Sequence, residues 1–336
     1  MLALDASRRS QRSSRAGAPR SAILAAMSLY SMLAPKGPNG FGYGSTAEDV
    51  TSGLDLKGKT VLVTGCNSGL GFETVRVLRL RGAHVIGTAR TPAKADEAGA
   101  SQGGLAGAFT GLACELSDPR SVRACVADLQ GRGTTLDAII ANAGIMALPK
   151  LEKSNGLELQ FFTNHVGHFL LVTGLLDRLT DDARVVMVSS EAHRNAPKEG
   201  IQFDNLSGDR GYAPWAAYGQ SKLANILFAK KLARRLEGTR KTANALHPGV
   251  IKTNLGRNMG SFAEVAFALV SPIALKNIPE GAATQCFVAT SPKARGVTGE
   301  YFSNCQVIAP RADARDTALA DRLWDKTEEI VAALPR

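Results

Sequence analysis

From residue 58 onward, short runs of β-branched and aliphatic residues alternate with longer stretches in which apolar positions recur every three or four residues. The short runs are Thr60 to Thr64, Ala83 to Thr88, Thr110 to Cys114, Leu136 to Ala141, Arg184 to Ser189, Thr242 to His247 and Gly299 to Phe302. Their near-continuous apolar character suits strands covered on both faces. The longer stretches are Leu70 to Arg81, Pro119 to Gln130, Leu157 to Leu179 and Ala216 to Leu236, and their spacing suits helices with one apolar stripe. Strand and helix in strict alternation predict an α/β fold, a doubly wound parallel sheet flanked by helices.

Ahead of this pattern the text changes character. Lys36 to Ser45 contains Gly37, Pro38, Gly40, Gly42 and Gly44, so residues 37–57 read as a linker into the domain at 58–336. Residues 1–36 form a basic extension with a mildly apolar run from Ser21 to Ala34. That run is too short to span a bilayer as a helix. Arg8-Arg9 fits a twin-arginine leader, the Arg- and Ser-rich, acid-poor composition fits an organellar transit peptide, and a simple tail fits as well. Export, organellar targeting and residence in a reduced, soluble compartment such as the cytoplasm all remain open.

Composition narrows the function classes. The 336 residues are 44% apolar, ample for a packed core. Formal net charge is +10, and half of it lies in the extension, where Arg8, Arg9, Arg12, Arg15, Arg20 and Lys36 face Asp5 alone. The rest is scattered without basic runs or interleaved aromatics, which argues against nucleic-acid binding. Cys66, Cys114, Cys125, Cys286 and Cys305 make an odd set without a C-x-x-C pair, as expected of reduced thiols. His165 and His168 have no carboxylate or thiol at a ligand spacing, so no metal site is expected.

Chemistry concentrates where strands end, which is where ligands bind in sheets of this kind. The first strand runs into Thr64-Gly65-Cys66-Asn67-Ser68-Gly69-Leu70-Gly71. Gly65 permits a tight turn, Gly69 lets backbone approach a pyrophosphate, and Gly71 allows close helix–strand packing, with phosphates at the helix N-terminus. Asn142-Ala143-Gly144 follows the fourth strand, and Ser189-Ser190 the fifth. Tyr218 and Lys222 lie one turn apart on a helix, where an ammonium can favour the phenolate.

These motifs in this order resemble the short-chain dehydrogenase/reductase family over residues 58–336. Ser189-Ser190-Glu191-Ala192-His193, Ser221-Lys222-Leu223-Ala224-Asn225 and His247-Pro248-Gly249 resemble its retinol-dehydrogenase-like branch. The resemblance implies a single Rossmann-type domain with a seven-stranded parallel sheet in the order 3-2-1-4-5-6-7. It also implies roles. Tyr218 would be the general acid and base, Lys222 would hold the nicotinamide ribose, and Ser190 would hydrogen-bond the substrate oxygen. Asn164 would hold a water in a proton relay. The nucleotide would meet Gly65, Asn67, Ser68, Gly69, Leu70 and Gly71, then Asn142, Ala143 and Gly144, Tyr218 and Lys222, and finally Pro248, Gly249, Val250 and Thr253. Glu115-Leu116 replaces the family's usual Asp-Leu, and an adenine contact from the longer Glu115 is an open point. Arg90, at the end of the second strand where NAD enzymes place an acid, suits a 2′-phosphate and favours NADP over NAD.

Residues 254–280 would form a substrate lid. Ser261 to Leu275 carries Phe262, Val265, Phe267, Leu269, Val270, Ile273 and Leu275, with Glu264 as its single charge. An apolar lid fits a small lipophilic aldehyde, ketone or alcohol, and a packing helix would read the same way. Phe203, Tyr212 and Trp215, between Ser190 and Tyr218, are further candidates for pocket walls. The resemblance leaves a homo-oligomer, a monomer and peripheral membrane contact all open. A regulatory protein that binds NADPH without a required catalytic role is the competing reading.

Overall fold

A computed structural model describes residues 28–251 and 275–335. Its centre is an eight-stranded sheet built from β1 (Thr60–Thr64), β2 (His84–Ala89), β3 (Phe109–Ala113), β4 (Leu136–Ala141), β5 (Leu179–Val188), β6 (Thr242–His247), β7 (Tyr301–Ser303) and β8 (Gln306–Val307). The order is β3-β2-β1-β4-β5-β6-β7-β8. Seven strands are parallel in the expected order, and β8 adds an antiparallel edge through a turn at Asn304 and Cys305. Both turn residues have positive φ. That short edge strand is the one departure from the expected sheet.

Alternation along each strand feeds two separate cores. In β1, Leu62 faces one cluster, with Phe161, Phe169 and Leu227, while Val61 and Val63 face the other, with Val75, Leu78 and Phe287. Helices α3 (Pro119–Gly131), α4 (residues 159–174), α5 (Pro214–Arg235) and α7 (Thr317–Ala333) contribute to the first layer. Helices α1 (Gly69–Leu80), α2 (Pro92–Ser101) and α6 (Ile278–Thr290) contribute to the second. Trp324 of α7 stacks on Phe228 of α5 with ring centroids 5.4 Å apart, fixing the C-terminal helix against the helix that carries Tyr218.

Two expectations change. The run from Leu157 to Leu179 is not one helix: α4 ends at Gly174, and its middle, Phe162–Val166, is a π turn containing Asn164. Such turns open the backbone ladder and free a carbonyl for other partners. The presumed linker at 37–57 is folded onto the domain. Ala47 and Val50, in a short helix closed by a Thr46/Asp49 capping box, are buried, and Glu48 bridges Arg76 of α1 at 2.6 Å. Phe41 packs edge-on against Phe287 of α6. Apolar side chains placed between the glycines hold it there, so glycine content alone misreads its flexibility.

All five histidines are held below the ordinary 6.5 by burial, with His165 at about 3 and His168 and His247 at about 4. As pH falls through 6.5 the unfolded chain takes up protons that the folded chain refuses until about 4. Stability must therefore fall with pH across that window, by up to about 1.4 kcal/mol per pH unit for each of His165, His168 and His247. Glu158 and Glu280, raised by burial, oppose the trend because the folded state binds their protons first. Denaturant midpoints measured across this window should decline, and His165→Asn should make the decline shallower. A flat profile would contradict the burial of these rings.

Candidate active site

The carboxyl ends of β1, β4, β5 and β6 converge on one edge, and most of the sequence-predicted residues stand there. Gly65 follows β1 at φ +70°, in the left-handed region open to glycine. A Cβ on Gly71 would lie 2.1 Å from the Gly65 carbonyl oxygen and 2.6 Å from Asn142 Nδ2, so only glycine lets α1 seat this closely. Asn67 and Ser68 are exposed, and Gly69 and Leu70 half-exposed. Ser68 caps α1 without a side-chain hydrogen bond, which leaves the first N–H groups of α1 facing outward.

The loop after β4 is stitched to this turn. The Asn142 side chain donates to the Thr64 carbonyl at 2.8 Å, and the Asn142 and Ala143 N–H groups both donate to Thr64 Oγ1 at 2.9 Å. Gly144 lies between Asn164 and Lys222: a Cβ there would sit 3.0 Å from Asn164 Oδ1 and 3.3 Å from Lys222 Nζ. Asn164 itself is wholly buried. Its side chain accepts from the Ile145 N–H and donates to the Ile145 carbonyl and Ser221 Oγ, each at 2.9 Å. Its carbonyl accepts from His168 Nδ1 at 2.9 Å. The π turn thus fastens the loop after β4 to the residue preceding Lys222.

Lys222 is 3% exposed, and its ammonium donates to the Val188 carbonyl at 3.0 Å. Burial lowers its pKa to about 8. Tyr218 is 9% exposed, and burial raises its phenol to about 12 while a hydrogen bond with Ser190 pulls the other way. The proximity of the lysine was expected to make the phenol more acidic, and here burial outweighs it. The ammonium lies 5.7 Å from the Tyr218 ring centroid and is turned to the strand-end carbonyl instead. Of the two serines, Ser189 donates its hydroxyl to the Lys222 carbonyl at 2.7 Å, and Ser190 faces the phenol.

The remaining positions divide. Arg90 is exposed at the end of β2 and makes no ion pair among the described residues. Glu115 is turned inward on its own loop, accepting from the Ser117 N–H at 3.1 Å and hydroxyl at 2.8 Å, while Leu116 is buried. Pro248 and Gly249 are half-exposed and Val250 is 48% exposed beyond β6. Thr253 and most of the expected lid, from residue 254 to 274, lie outside the described residues. Among the three aromatics before Tyr218, Trp215 alone meets it, edge to face with centroids 6.2 Å apart. Tyr212 donates to the Leu148 carbonyl at 2.6 Å, and Phe203 lies beneath Arg322.

Two participants were not among the site residues named from the sequence. Gln285 of α6 reaches across to Thr74 Oγ1 and, at 3.3 Å, to Asn142 Oδ1, bracing the glycine turn. His168 receives the Thr64 hydroxyl at Nε2, 2.9 Å away. A buried polar residue in a helix hints at such a role without naming its partner.

The glycine turn and the Tyr218, Lys222 and Ser190 side chains thus share one edge of the sheet, with Tyr218 and Lys222 buried. The family model described as short chain dehydrogenase matches residues 59–263. The chain is 43% identical over 324 residues to the short-chain dehydrogenase TIC 32 B, chloroplastic, of Brassica napus, covering 92% of this chain and all of the relative. It is 41% identical over 295 residues to mouse retinol dehydrogenase 14, covering 83% and 87%. A Burkholderia cenocepacia short chain dehydrogenase solved in complex with NADP superposes with a TM-score of 0.60 at 25% identity, over 74% of this chain and 96% of that one. Fold, site and relatives agree: the chain belongs to the short-chain dehydrogenase/reductase family of oxidoreductases.

Proposed function

We propose that this protein uses NADP(H) to interconvert a lipophilic aldehyde or ketone and its alcohol. The observation that carries the reading is the Tyr218 phenol, buried and facing the Ser190 hydroxyl one helical turn from Lys222. A nucleotide held at this edge would supply the chemistry of hydride transfer to or from the carbonyl carbon. Tyr218 gives its proton to the carbonyl oxygen, or takes the hydroxyl proton in the reverse direction. Ser190 donates to that same oxygen and stabilises its charge as it develops. Lys222, held between the Val188 carbonyl and the bare face of Gly144, presents a positive charge to the tyrosinate and to a ribose hydroxyl. Asn164 offers the second lone pair of its carbonyl to a water, the first being taken by His168.

Cofactor choice rests on Arg90. Its guanidinium is exposed just after β2, which supports a role in meeting a 2′-phosphate, and its planar fork matches two phosphate oxygens. Substrate class rests on exposed apolar side chains, Trp215 against Tyr218 at 44% exposure and Val250 beyond β6 at 48%, together with the apolar composition of residues 261–275. The likeness to a retinol dehydrogenase points the same way.

Tyr218→Phe should lower kcat by at least about a hundredfold while leaving the NADPH dissociation constant unchanged, as expected for loss of a general acid. Retained turnover would remove Tyr218 from the chemistry. Arg90→Asp should weaken NADPH binding by about ten- to a hundredfold, the worth of a charge-assisted phosphate contact, and spare NADH. Equal loss of both nucleotides in calorimetric titrations would refute the assignment. Across straight-chain aldehydes of increasing length, kcat/KM should climb roughly three- to fourfold per methylene until the pocket is filled, following about 0.8 kcal/mol per buried CH2. A series that is flat, or that favours charged carbonyls, would exclude a lipophilic pocket.

A further inference from the structure

The peptide bond joining Ser190 to Glu191 is gripped at both of its polar ends by imidazoles that the chemistry above does not use. On the carbonyl side, His193 Nδ1 lies 2.7 Å from the Ser190 oxygen, while its Nε2 accepts the Arg311 N–H at 3.1 Å. A nitrogen that accepts must be bare, so the ring proton sits on Nδ1 and is donated to Ser190. On the amide side, the Glu191 N–H donates to His247 Nδ1 at 3.3 Å, and the Gly249 N–H donates to the same nitrogen at 3.2 Å. Here Nδ1 is bare and Nε2 carries the proton. One ring donates and the other accepts, matching the two ends of a single peptide plane.

His193 is wholly buried and His247 half-buried, and desolvation holds both below the ordinary 6.5, so at neutral pH neither pattern is exchanged for an imidazolium. The Tyr301 hydroxyl, 3.4 Å from the same carbonyl, reinforces the His193 side. Each ring also anchors a second element: His193 the segment entering α7 through Arg311, and His247 the loop beyond β6 through Gly249. The plane they hold fixes where the Ser190 side chain leaves the backbone. Ser190 Oγ already accepts the Ala192 N–H at 3.1 Å, so in the absence of a substrate oxygen its proton is available to Tyr218.

We propose that His193 and His247 are paired positioning residues, which lock the Ser190–Glu191 peptide plane and so hold the Ser190 hydroxyl on the Tyr218 phenol. This rests on the Ser190–Tyr218 pairing read above. It adds that the pairing is set from outside the cluster, by the two ring contacts to the Ser190–Glu191 peptide. The Ser190 carbonyl also accepts the His193 backbone N–H at 3.1 Å, so losing either ring loosens the plane without releasing it and shifts the hydroxyl from the phenol.

Asparagine and glutamine separate these contacts, because their amides overlay Nδ1 and Nε2 of an imidazole respectively. His193→Asn keeps the donor to Ser190 and gives up Arg311, whereas His193→Gln does the reverse. His247→Asn keeps the acceptor for Glu191 and Gly249, and His247→Gln loses it. In the full chain saturated with NADP+, the Tyr218 pKa is read from tyrosinate absorbance, as the difference from the same protein carrying Tyr218→Phe. Both glutamine variants should raise it by about half to one pH unit, the worth of one hydrogen bond to the phenolate. Both asparagine variants should stay at the wild-type value. Ser190→Ala should raise it equally, and adding either glutamine change to Ser190→Ala should add nothing. Asparagine and glutamine variants that shift alike, in step with a lowered melting temperature, would reduce the histidines to packing and overturn the proposal. A shift in Ser190→Ala without one in the glutamine variants would overturn the clamp and leave the Ser190–Tyr218 pairing standing. No shift in Ser190→Ala would remove that pairing and the clamp with it.

Discussion

The last side chain of β1 carries the constraint on which the site depends. A parallel strand that stops at a ligand-binding edge leaves polar groups that the sheet no longer pairs, and burial makes each unpaired group costly. Thr64 solves this with a single hydroxyl. It accepts the N–H groups of Asn142 and Ala143 and passes its own proton to His168, whose other nitrogen donates to the Asn164 carbonyl. Three elements far apart in sequence, the glycine turn, the loop after β4 and the π turn of α4, are thereby fixed to one oxygen atom.

Desolvation then sets the electrical character of the edge. Lys222 is nearly dry, with a strand-end carbonyl as its hydrogen-bond acceptor, and its pKa falls to about 8. Tyr218 is pushed to about 12 by the same burial, and Ser190 is what offsets it. A lysine one helical turn away is therefore not sufficient to make a phenol acidic, since its ammonium points at Val188. The hydroxyl of Ser190 is the closer lever, and its own placement depends on the backbone plane that follows it.

Packing outside the edge supports this arrangement from both ends of the chain. The segment at 37–57, with Phe41 against Phe287 and Glu48 on Arg76, covers the layer formed by α1 and α6. Helix α6 in turn sends Gln285 back to the glycine turn. On the opposite face, α7 lays Trp324 on Phe228 of the helix bearing Tyr218 and Lys222, and Thr327 hydrogen-bonds His165 of the π turn at 3.0 Å. Regions that look peripheral in the sequence thus brace the two helices that meet at the site.

The strands were legible because a parallel sheet covered on both faces demands runs such as Thr60 to Thr64, which few other environments tolerate. The glycine turn, the Asn-Ala-Gly loop and the Tyr–Lys spacing were legible because their chemistry is local, each requirement being met within eight residues or fewer. Helix α6 was not, since Glu280 to Ala289 is buried on every side and shows no amphipathic stripe. Nor was α2, whose small residues give a weak pattern, nor the docking of residues 37–57, whose glycines mask the apolar side chains between them. The partners of Thr64, Ser190 and Lys222 lay beyond reach for a different reason. A hydrogen bond between Glu191 and His247 spans 56 residues, and no order along the chain reveals which buried donor will find which acceptor. Local conformation and covalent spacing determined the elements and named the candidate site residues. Only the folded sheet, by bringing separate strand ends to one edge and excluding water there, decided how those side chains are held.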